Sequence, residues 1–174
     1  MSRGSVVSGS RVADVDQLVR RESADLLAYF ARRVEQPADA ADLLSDTLVV
    51  IWRRSGDVPR DPHDARLWSF GIARKVLSGH WRSRRRRADA VVKLGEELTT
   101  VLSESDQDSL LDVRSAVARL SELDREIVRL VYWEGFTLEE TSRLLAMSSA
   151  TVRSRHHRAK AKLAAELSEQ GAQP

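Results

Sequence analysis

Apolar residues recur at helical spacing between Phe136 and Leu163, on either side of a short break. The apolar face before the break consists of three leucines: Leu138, Leu144 and Leu145. Thr137 followed three residues later by Glu140 has the pattern of a capping box, which predicts that a helix begins there. Ser148 or Ser149 could cap a second helix by accepting a hydrogen bond from a free backbone N–H. The pattern therefore predicts a helix-turn-helix, whose second helix enters the major groove of DNA.

The same spacing predicts three helices in the N-terminal half, over residues 14–34, 38–54 and about 65–86. Pro37 suits the first turn of the second helix, where its missing N–H is not needed. Residues 55–64 are predicted to form the loop before the third helix. We expect Trp68 and Ile72 to lie in the core. Trp81 lies in the basic end of the third helix, so it could either pack in the core or stack on a base.

The composition favours an all-helical protein, because Gly, Pro and aromatic residues are sparse among the 174 residues. There is no apolar run long enough for a transmembrane helix, so we expect no membrane insertion. The absence of Cys excludes a disulfide framework and a thiolate zinc site. Residues 1–13 lack the long apolar core of a signal peptide. We expect them to form a disordered leader, residues 169–174 a disordered tail, and the protein to be cytoplasmic.

Charge is strongly segregated along the chain, although the net charge is only +2. Residues 74–87 carry seven basic side chains and no acid, whereas Lys93 is the only basic residue among the acids of residues 89–112. From Arg143 to Lys162 the chain is again basic without an acid. We therefore predict an all-α fold of two small helical domains, over residues 14–87 and 112–168, joined by a flexible acidic linker over residues 88–111. The acidity of this linker could also serve only solubility.

Three segments stand in the order and at the spacing of a known family. They are DAADLLSDTLVVIWRR (Asp39–Arg54), RLWSFGIARKVLSGHWRSRRRR (Arg66–Arg87) and LSELDREIVRLVYWEGFTLEETSRLLAMSSATVRSRHHRAKAKL (Leu120–Leu163). Together they resemble a bacterial RNA polymerase sigma factor of the extracytoplasmic-function (ECF) group. The resemblance covers about Leu26 to Leu167. It implies a sigma region 2-like bundle followed by a sigma region 4-like helix-turn-helix domain.

In that family the second helix docks on the clamp helices of the largest polymerase subunit. The resemblance implies a core polymerase-binding role for six residues: Asp39, Asp42, Leu43, Asp46, Thr47 and Trp52. Ala41 and Ser45 stand where the family often has Glu and Gln. Fewer polar contacts to the polymerase are therefore expected.

The family's third helix and the loop before it read the minus-10 promoter element as a melted strand. The resemblance implies this role for the loop of residues 55–64 and for four residues of the third helix: Arg74, Lys75, Ser78 and Arg82. Lys75 stands where the family usually has Asn, whose side chain can read a base edge. The usual base preference at this position therefore does not follow from the resemblance.

The C-terminal helix-turn-helix reads the minus-35 element as duplex in that family. The residues implied for minus-35 binding are Ser149, Thr151, Arg153, Ser154, His157 and Arg158. Arg153 or Arg158 could fork onto guanine O6 and N7, while the rest of the basic helix would hold phosphates. Ser142 and Ala146 replace the Ala and Gly that are common in the family. Both are small, so the close crossing of the two helices should persist.

The resemblance implies three partners: core RNA polymerase, promoter DNA and an anti-sigma factor. It implies no cofactor, no metal and no enzymatic activity, and we expect the free protein to be monomeric. In the family the linker runs toward the RNA exit path. The acidic segment could there mimic nucleic acid in a basic channel.

Two other classes of protein would account for parts of the sequence. A free-standing helix-turn-helix repressor or activator would explain Phe136–Leu163 but not the two N-terminal segments. An enzyme such as a nuclease or metal-dependent hydrolase has little support. His156 and His157 are adjacent, so on a helix they diverge by about 100° and cannot form the paired ligands of a zinc helix. The sequence also lacks a glycine-rich phosphate loop.

Overall fold

The computed structural model describes the backbone of residues 4–94 and 111–170, and the side chains of residues 14–88 and 113–168. Within this part the chain is α-helical, with one 3₁₀ turn (Ser55–Asp57) and no strand. The helices are α1 (Gly4–Ala31), α2 (Pro37–Arg53), α3 (Pro62–Leu94), α4 (Leu111–Ala118), α5 (Glu122–Tyr132), α6 (Leu138–Leu145) and α7 (Ser149–Gln170). The chain divides into two compact units, Met1–Leu98 and Thr99–Pro174. The prediction of an all-α fold with two helical domains is confirmed.

The first unit is a bundle in which α1, α2 and α3 pack against one another. Tyr29, Phe30 and Phe70 are fully buried at its centre. The Tyr29 ring lies edge-on to both other rings, with centroids 5.3 Å from Phe30 and 5.5 Å from Phe70. Ile72 is buried as predicted, and Trp68 is half-buried. The apolar periodicity of the sequence thus marks the faces that meet in this core.

An ionic cluster ties α1 to the start of α3. Glu22 is 2% exposed, and its carboxylate accepts hydrogen bonds from Arg66 and, at 2.7 Å, from Arg21 Nε. Arg66 also donates to Asp25 at 2.6 Å. Arg21 Nη2 in turn donates to the carbonyl oxygen of Pro62 at 3.3 Å. Because a buried carboxylate must be paired, this cluster fixes the first turn of α3 and the end of the preceding loop.

Three helices are longer than the sequence predicted. α1 begins at Gly4, although residues 1–13 were expected to be a disordered leader. α3 continues to Leu94, seven residues into the predicted linker, since residues 88–94 (ADAVVKL) are acceptable helix formers. α7 also continues to Gln170, beyond the predicted start of the tail. Extending a formed helix costs far less than nucleating one, and a change of charge sign does not end it. Residues 95–110 of the predicted linker lie outside the described residues.

The second unit packs α4, α5 and α6 against α7. One part of its core consists of Val117, Leu120, Val128 and Ala159, with Leu163 packed beside them. Phe136, Leu144, Leu145 and Val152 are also buried. α7 contributes only one stripe of side chains to this core. Most of its other described side chains are exposed to solvent.

The predicted helix caps of the helix-turn-helix are present. Thr137 Oγ1 accepts from the Glu140 N–H at 3.2 Å, and the Glu140 carboxylate accepts from the Thr137 N–H at 2.8 Å. Ser148, rather than Ser149, caps α7, because its Oγ accepts from the Thr151 N–H at 3.1 Å. Both caps satisfy backbone donors that a helix leaves unpaired in its first turn.

Candidate nucleic-acid interface

One face of α2 is open to solvent and combines acidic with apolar side chains. Asp42 and Asp46, one turn apart, are both exposed. Trp52 is 45% exposed and Val49 is 47% exposed. Val49 lies three residues after Asp46 and three before Trp52, so helical geometry places all of them on adjoining rows. Sequence reasoning did not select Val49, although this spacing could have indicated it.

Two of the residues selected on α2 do not belong to this open face. Leu43 is 3% exposed and Thr47 is fully buried in the core of the first unit. Thr47 Oγ1 donates to the Leu43 carbonyl oxygen at 2.7 Å, so its hydroxyl is already satisfied. These two side chains therefore lie beneath the open face and not on it, and their role in binding the polymerase stays a prediction. Asp39 is half-buried, with its carboxylate 3.8 Å from His80 Nε2.

The four residues selected on α3 share one face of the helix: Ser78 and Arg82 lie four and eight residues after Arg74, and Lys75, next to Arg74, lies about 100° around the helix from it. Lys75 and Arg82 are exposed, whereas Arg74 and Ser78 are half-buried. Ser78 Oγ donates to the Arg74 carbonyl oxygen at 2.8 Å. A hydroxyl has a single hydrogen, so Ser78 can offer only acceptor lone pairs to a ligand. The face is therefore a basic surface with one weak acceptor.

Trp81 lies beside this basic face and is 38% exposed. His80 meets its ring edge-on at a centroid distance of 5.4 Å. The Arg84 guanidinium lies 5.5 Å from the Trp81 ring centroid. The indole is thus held in place by its neighbours while part of it stays accessible. An exposed aromatic ring next to cations can stack on an unpaired base.

A pocket of about 320 Å³ lies between α1 and the loop before α3. Its lining consists of Asp14, Gln17, Leu18, Arg21, Val58, Pro59, Arg60, Pro62 and Ala65. The loop ends at Asp61, whose Oδ1 accepts from the N–H groups of His63 at 2.9 Å and Asp64 at 3.0 Å. The Asp61 side chain thus caps the first turn of α3, and Arg21 of the ionic cluster connects the end of the loop to α1.

The second helix of the helix-turn-helix, α7, presents most of the selected residues to solvent. Val152 and Ala159 are buried, whereas four of the predicted DNA contacts are exposed: Arg153, Ser154, His157 and Arg158. Thr151 is also exposed, but its Oγ1 lies 2.7 Å from Ser148 Oγ within the cap. α7 therefore offers two guanidinium groups and an imidazole on its outer surface.

Ser149 differs from the other selected residues, because its side chain is already engaged. Its Oγ donates to the Glu139 carboxylate at 2.6 Å and lies 3.2 Å from Ser142 Oγ. Ser142 Oγ itself donates to the Glu139 carbonyl oxygen at 2.7 Å. Glu139 is exposed at the start of α6, ten residues before Ser149. Sequence reasoning did not select Glu139, because nothing in the local pattern links it to α7.

Two contacts anchor α7 to α5. Arg155 Nη1 donates to Asp124 Oδ1 at 2.9 Å. Partial burial alone would raise the pKa of Asp124. Its carboxylate, however, accepts hydrogen bonds from Ser121 and Arg155 and lies near the positive charges of Arg155 and Arg158. These interactions outweigh the effect of burial, so the pKa of Asp124 is lowered. His156 stacks on Tyr132, with ring centroids 5.7 Å apart.

The surroundings of the His156 ring disfavour its protonated form. Burial, together with the neighbouring Lys160 and His157, lowers the pKa of His156 below its ordinary value of 6.5. No group of three His, Asp or Glu side chains in the described parts of either unit is arranged to hold a metal ion.

Comparison with known proteins matches both units to one family. Residues 18–87 match the family model of sigma-70 region 2, and residues 110–163 that of sigma-70 region 4. The RNA polymerase sigma-E factor of Streptomyces coelicolor is 32% identical over 166 residues, which cover 90% of this chain and 87% of that protein. The chain is an RNA polymerase sigma factor. The ECF RNA polymerase sigma factor SigM of Mycobacterium tuberculosis is 31% identical over 161 residues, which cover 91% of this chain and 79% of that protein, and this places the sigma factor in the ECF group.

A solved sigma factor has the same fold. RpoE of Bartonella quintana, crystallised with the anti-sigma factor NepR, matches with a TM-score of 0.70 and 23% identity over 89% of this chain and 97% of that chain. As an ECF sigma factor, this protein binds core RNA polymerase and directs it to promoter DNA. The second unit is its region 4, and α1 to α3 form its region 2. None of the helices that the structure describes is long and apolar enough to cross a membrane.

Proposed function

We propose that the open face of α2 is the polymerase-binding surface of this sigma factor. The observation that carries the proposal is the exposure of two apolar side chains, Val49 and Trp52, beside the carboxylates of Asp42 and Asp46. Exposed aromatic and apolar groups on an otherwise well-packed bundle are typical of a protein interface. Leu43 and Thr47 lie beneath this face and hold α2 in place.

We further propose that the basic face of α3 and the loop before it bind the minus-10 element. Lys75 and Arg82 would hold phosphates of the melted strand, and Trp81 would stack on one of its bases.

The exposed residues of α7 would read the minus-35 element in the major groove. Arg153 and Arg158 are the two exposed side chains there that can donate two hydrogen bonds to one guanine.

The chain would act in the cytoplasm as a specificity subunit without catalytic activity of its own. An anti-sigma factor would hold it inactive by covering the exposed face of α2. The RpoE–NepR complex shows that a protein with this fold can be bound by such a partner. The half-exposed Trp52 and Val49 offer a suitable apolar contact.

The decisive experiment is transcription by purified core polymerase with and without this chain, from genomic templates mapped for start sites. Asp42→Arg with Asp46→Arg should abolish both core binding and transcription while leaving the helical signal and the melting temperature near wild type. Loss of exposed charges costs a fold little, whereas reversed charges on a docking face oppose association. Normal core binding by the double variant would contradict the assignment of α2.

A matched control shows whether the effect depends on where the charges are reversed or only on how many are reversed. Asp16→Arg with Glu122→Arg changes the net charge by the same four units at positions outside the proposed face. Asp16 forms a solvent-exposed ion pair with Arg20, and Glu122 is exposed at the start of α5. This variant should bind core polymerase normally. If it fails equally, the effect of the first variant is electrostatic and not specific to α2.

A further inference from the structure

The hydrogen bonds around Ser149 determine what its side chain can offer to DNA. A serine hydroxyl has one hydrogen, and that of Ser149 is donated to Glu139. The hydrogen of Ser142 is likewise donated, to the Glu139 carbonyl oxygen. The 3.2 Å contact between the two hydroxyl oxygens therefore has no hydrogen left for it. Ser149 can only accept a hydrogen bond from a ligand while Glu139 holds it.

Glu139 adds a negative charge at the same place. Its carboxylate accepts from Ser149 through Oε2, and a carboxylate has a second acceptor oxygen, Oε1, in addition. The side chain is exposed, at the start of α6 and against the first residue of α7. The first turn of a recognition helix is the part that reaches the base edges. Glu139 and Ser149 thus form a purely accepting pair at that position.

We propose that Glu139 is a specificity-determining residue that selects cytosine at one base pair of the minus-35 element. In the major groove the exposed hydrogen-bond donors of the bases are the amino groups of cytosine and adenine. Adenine carries the N7 acceptor beside its amino group, which repels a carboxylate. Guanine and thymine present only acceptors there. Cytosine N4 is therefore the best partner for this pair. The inference rests on the proposed role of α7.

The negative charge of Glu139 lowers affinity in exchange for discrimination. DNA phosphates repel a carboxylate, so Glu139 should weaken binding to every sequence except where cytosine compensates. Removing the charge then has two separate effects. Binding to sequences without cytosine at that base pair should strengthen, while the preference for cytosine there should disappear. A residue that only clamps α6 to α7 would leave the preference at that base pair unchanged, although removing its charge would still strengthen binding in general.

The test is promoter binding by holoenzyme across all single-base changes of the minus-35 element. Wild type should favour cytosine at one base pair by about tenfold. Glu139→Gln should reduce that preference below about threefold, leave the other positions unchanged and strengthen binding to non-cytosine variants. Ser149→Ala keeps the charge but frees the carboxylate, so it should weaken the preference without strengthening binding. Glu122→Gln, which removes an exposed acid from α5 of the same unit, should leave the preference unchanged.

The outcomes separate this inference from the proposed function. If Glu139→Gln lowers the melting temperature and leaves every base preference as in wild type, Glu139 is only a clamp and the inference is wrong. Arg153→Ala is measured in parallel. Should Arg153→Ala also leave binding to every variant unchanged, the assignment of α7 to the minus-35 element fails as well.

Discussion

Ala146 ends α6 in a left-handed backbone conformation, with φ of 53° and ψ of 45°. This conformation brings Cβ close to the following carbonyl oxygen and costs an L-residue about 1–2 kcal/mol. Glycine avoids that cost, although it loses some of the gain by adding freedom to the unfolded chain. We expect Ala146→Gly to raise the free energy of unfolding of region 4 by about 0.5–1 kcal/mol. Chemical denaturation, monitored by circular dichroism, measures this change in the free energy of unfolding.

The control for this substitution is Ala161→Gly. Ala161 is exposed within α7, where glycine should lower the free energy of unfolding by about 1 kcal/mol. If glycine raises the free energy of unfolding at position 146 and lowers it at position 161, the stabilisation comes from the left-handed conformation of residue 146. If both substitutions destabilise, the strain at Ala146 is too small to matter.

Arg153 and Lys160 should contribute to promoter binding in different ways. Both are exposed on α7, but Arg153 lies in its second turn and Lys160 two turns later. Arg153→Ala should cost about 1–3 kcal/mol and flatten the preference among minus-35 variants. Lys160→Ala should weaken binding to all variants alike and reduce the salt slope by about one unit. Holoenzyme binding at several salt concentrations distinguishes them. Uniform weakening by both would make Arg153 only an electrostatic contact.

Individual side chains show where sequence reasoning reached its limit. The capping box of Thr137 and Glu140 was predicted correctly, because both partners lie within four residues of each other. The hydrogen bond from Ser149 to Glu139 was not predicted, because it connects α7 to α6 across the turn between them. Leu43 and Thr47 were taken from the family pattern without separating the buried stripe of α2 from its exposed face.

At the scale of helices, the contact between α5 and α7 makes stability depend on pH. The pKa of Asp124 in the folded protein lies below its ordinary value of 3.8. Its stabilising effect is therefore fully present above about pH 4 and is lost as the pH falls toward the folded pKa. Asp124→Asn should lower the free energy of unfolding by about 1–2 kcal/mol at pH 7.

The pH series tests this account directly. The difference between wild type and Asp124→Asn should narrow steadily below pH 4. Other carboxylates titrate in the same range, but they are common to both proteins and cancel in the difference. A difference that stays constant from pH 7 to pH 3 would show that the charge of Asp124 contributes nothing to the contact.

Helix ends were harder to predict than helix faces. Pro37 correctly marked the first turn of α2, because proline has only a few places in a helix. The predicted end of α3 was wrong, because it relied on the change from basic to acidic residues. That change alters what a helix surface attracts, but not whether its backbone can stay helical. The faces depend on burial, which the apolar spacing records directly.

At the scale of the whole molecule, region 2 and region 4 each have a core of their own. Leu26 is fully buried in the first and Val128 is 2% exposed in the second. We expect Leu26→Ala to cost about 2–5 kcal/mol, and Val128→Ala a smaller amount. Each should shift one of two unfolding transitions in calorimetry of the full chain. If either substitution moves both transitions together, the two units fold as one.

The division of α7 into a buried stripe and an open face has a consequence for engineering. Val152 and Ala159 maintain the fold, while Arg153, Ser154, His157 and Arg158 contribute almost nothing to the core. Randomising only those four positions should therefore yield libraries in which most members remain folded. Such libraries could be selected for holoenzymes that recognise new promoters without interfering with the original ones. Two sets of genes could then be transcribed independently of each other by variants that differ at only a few residues.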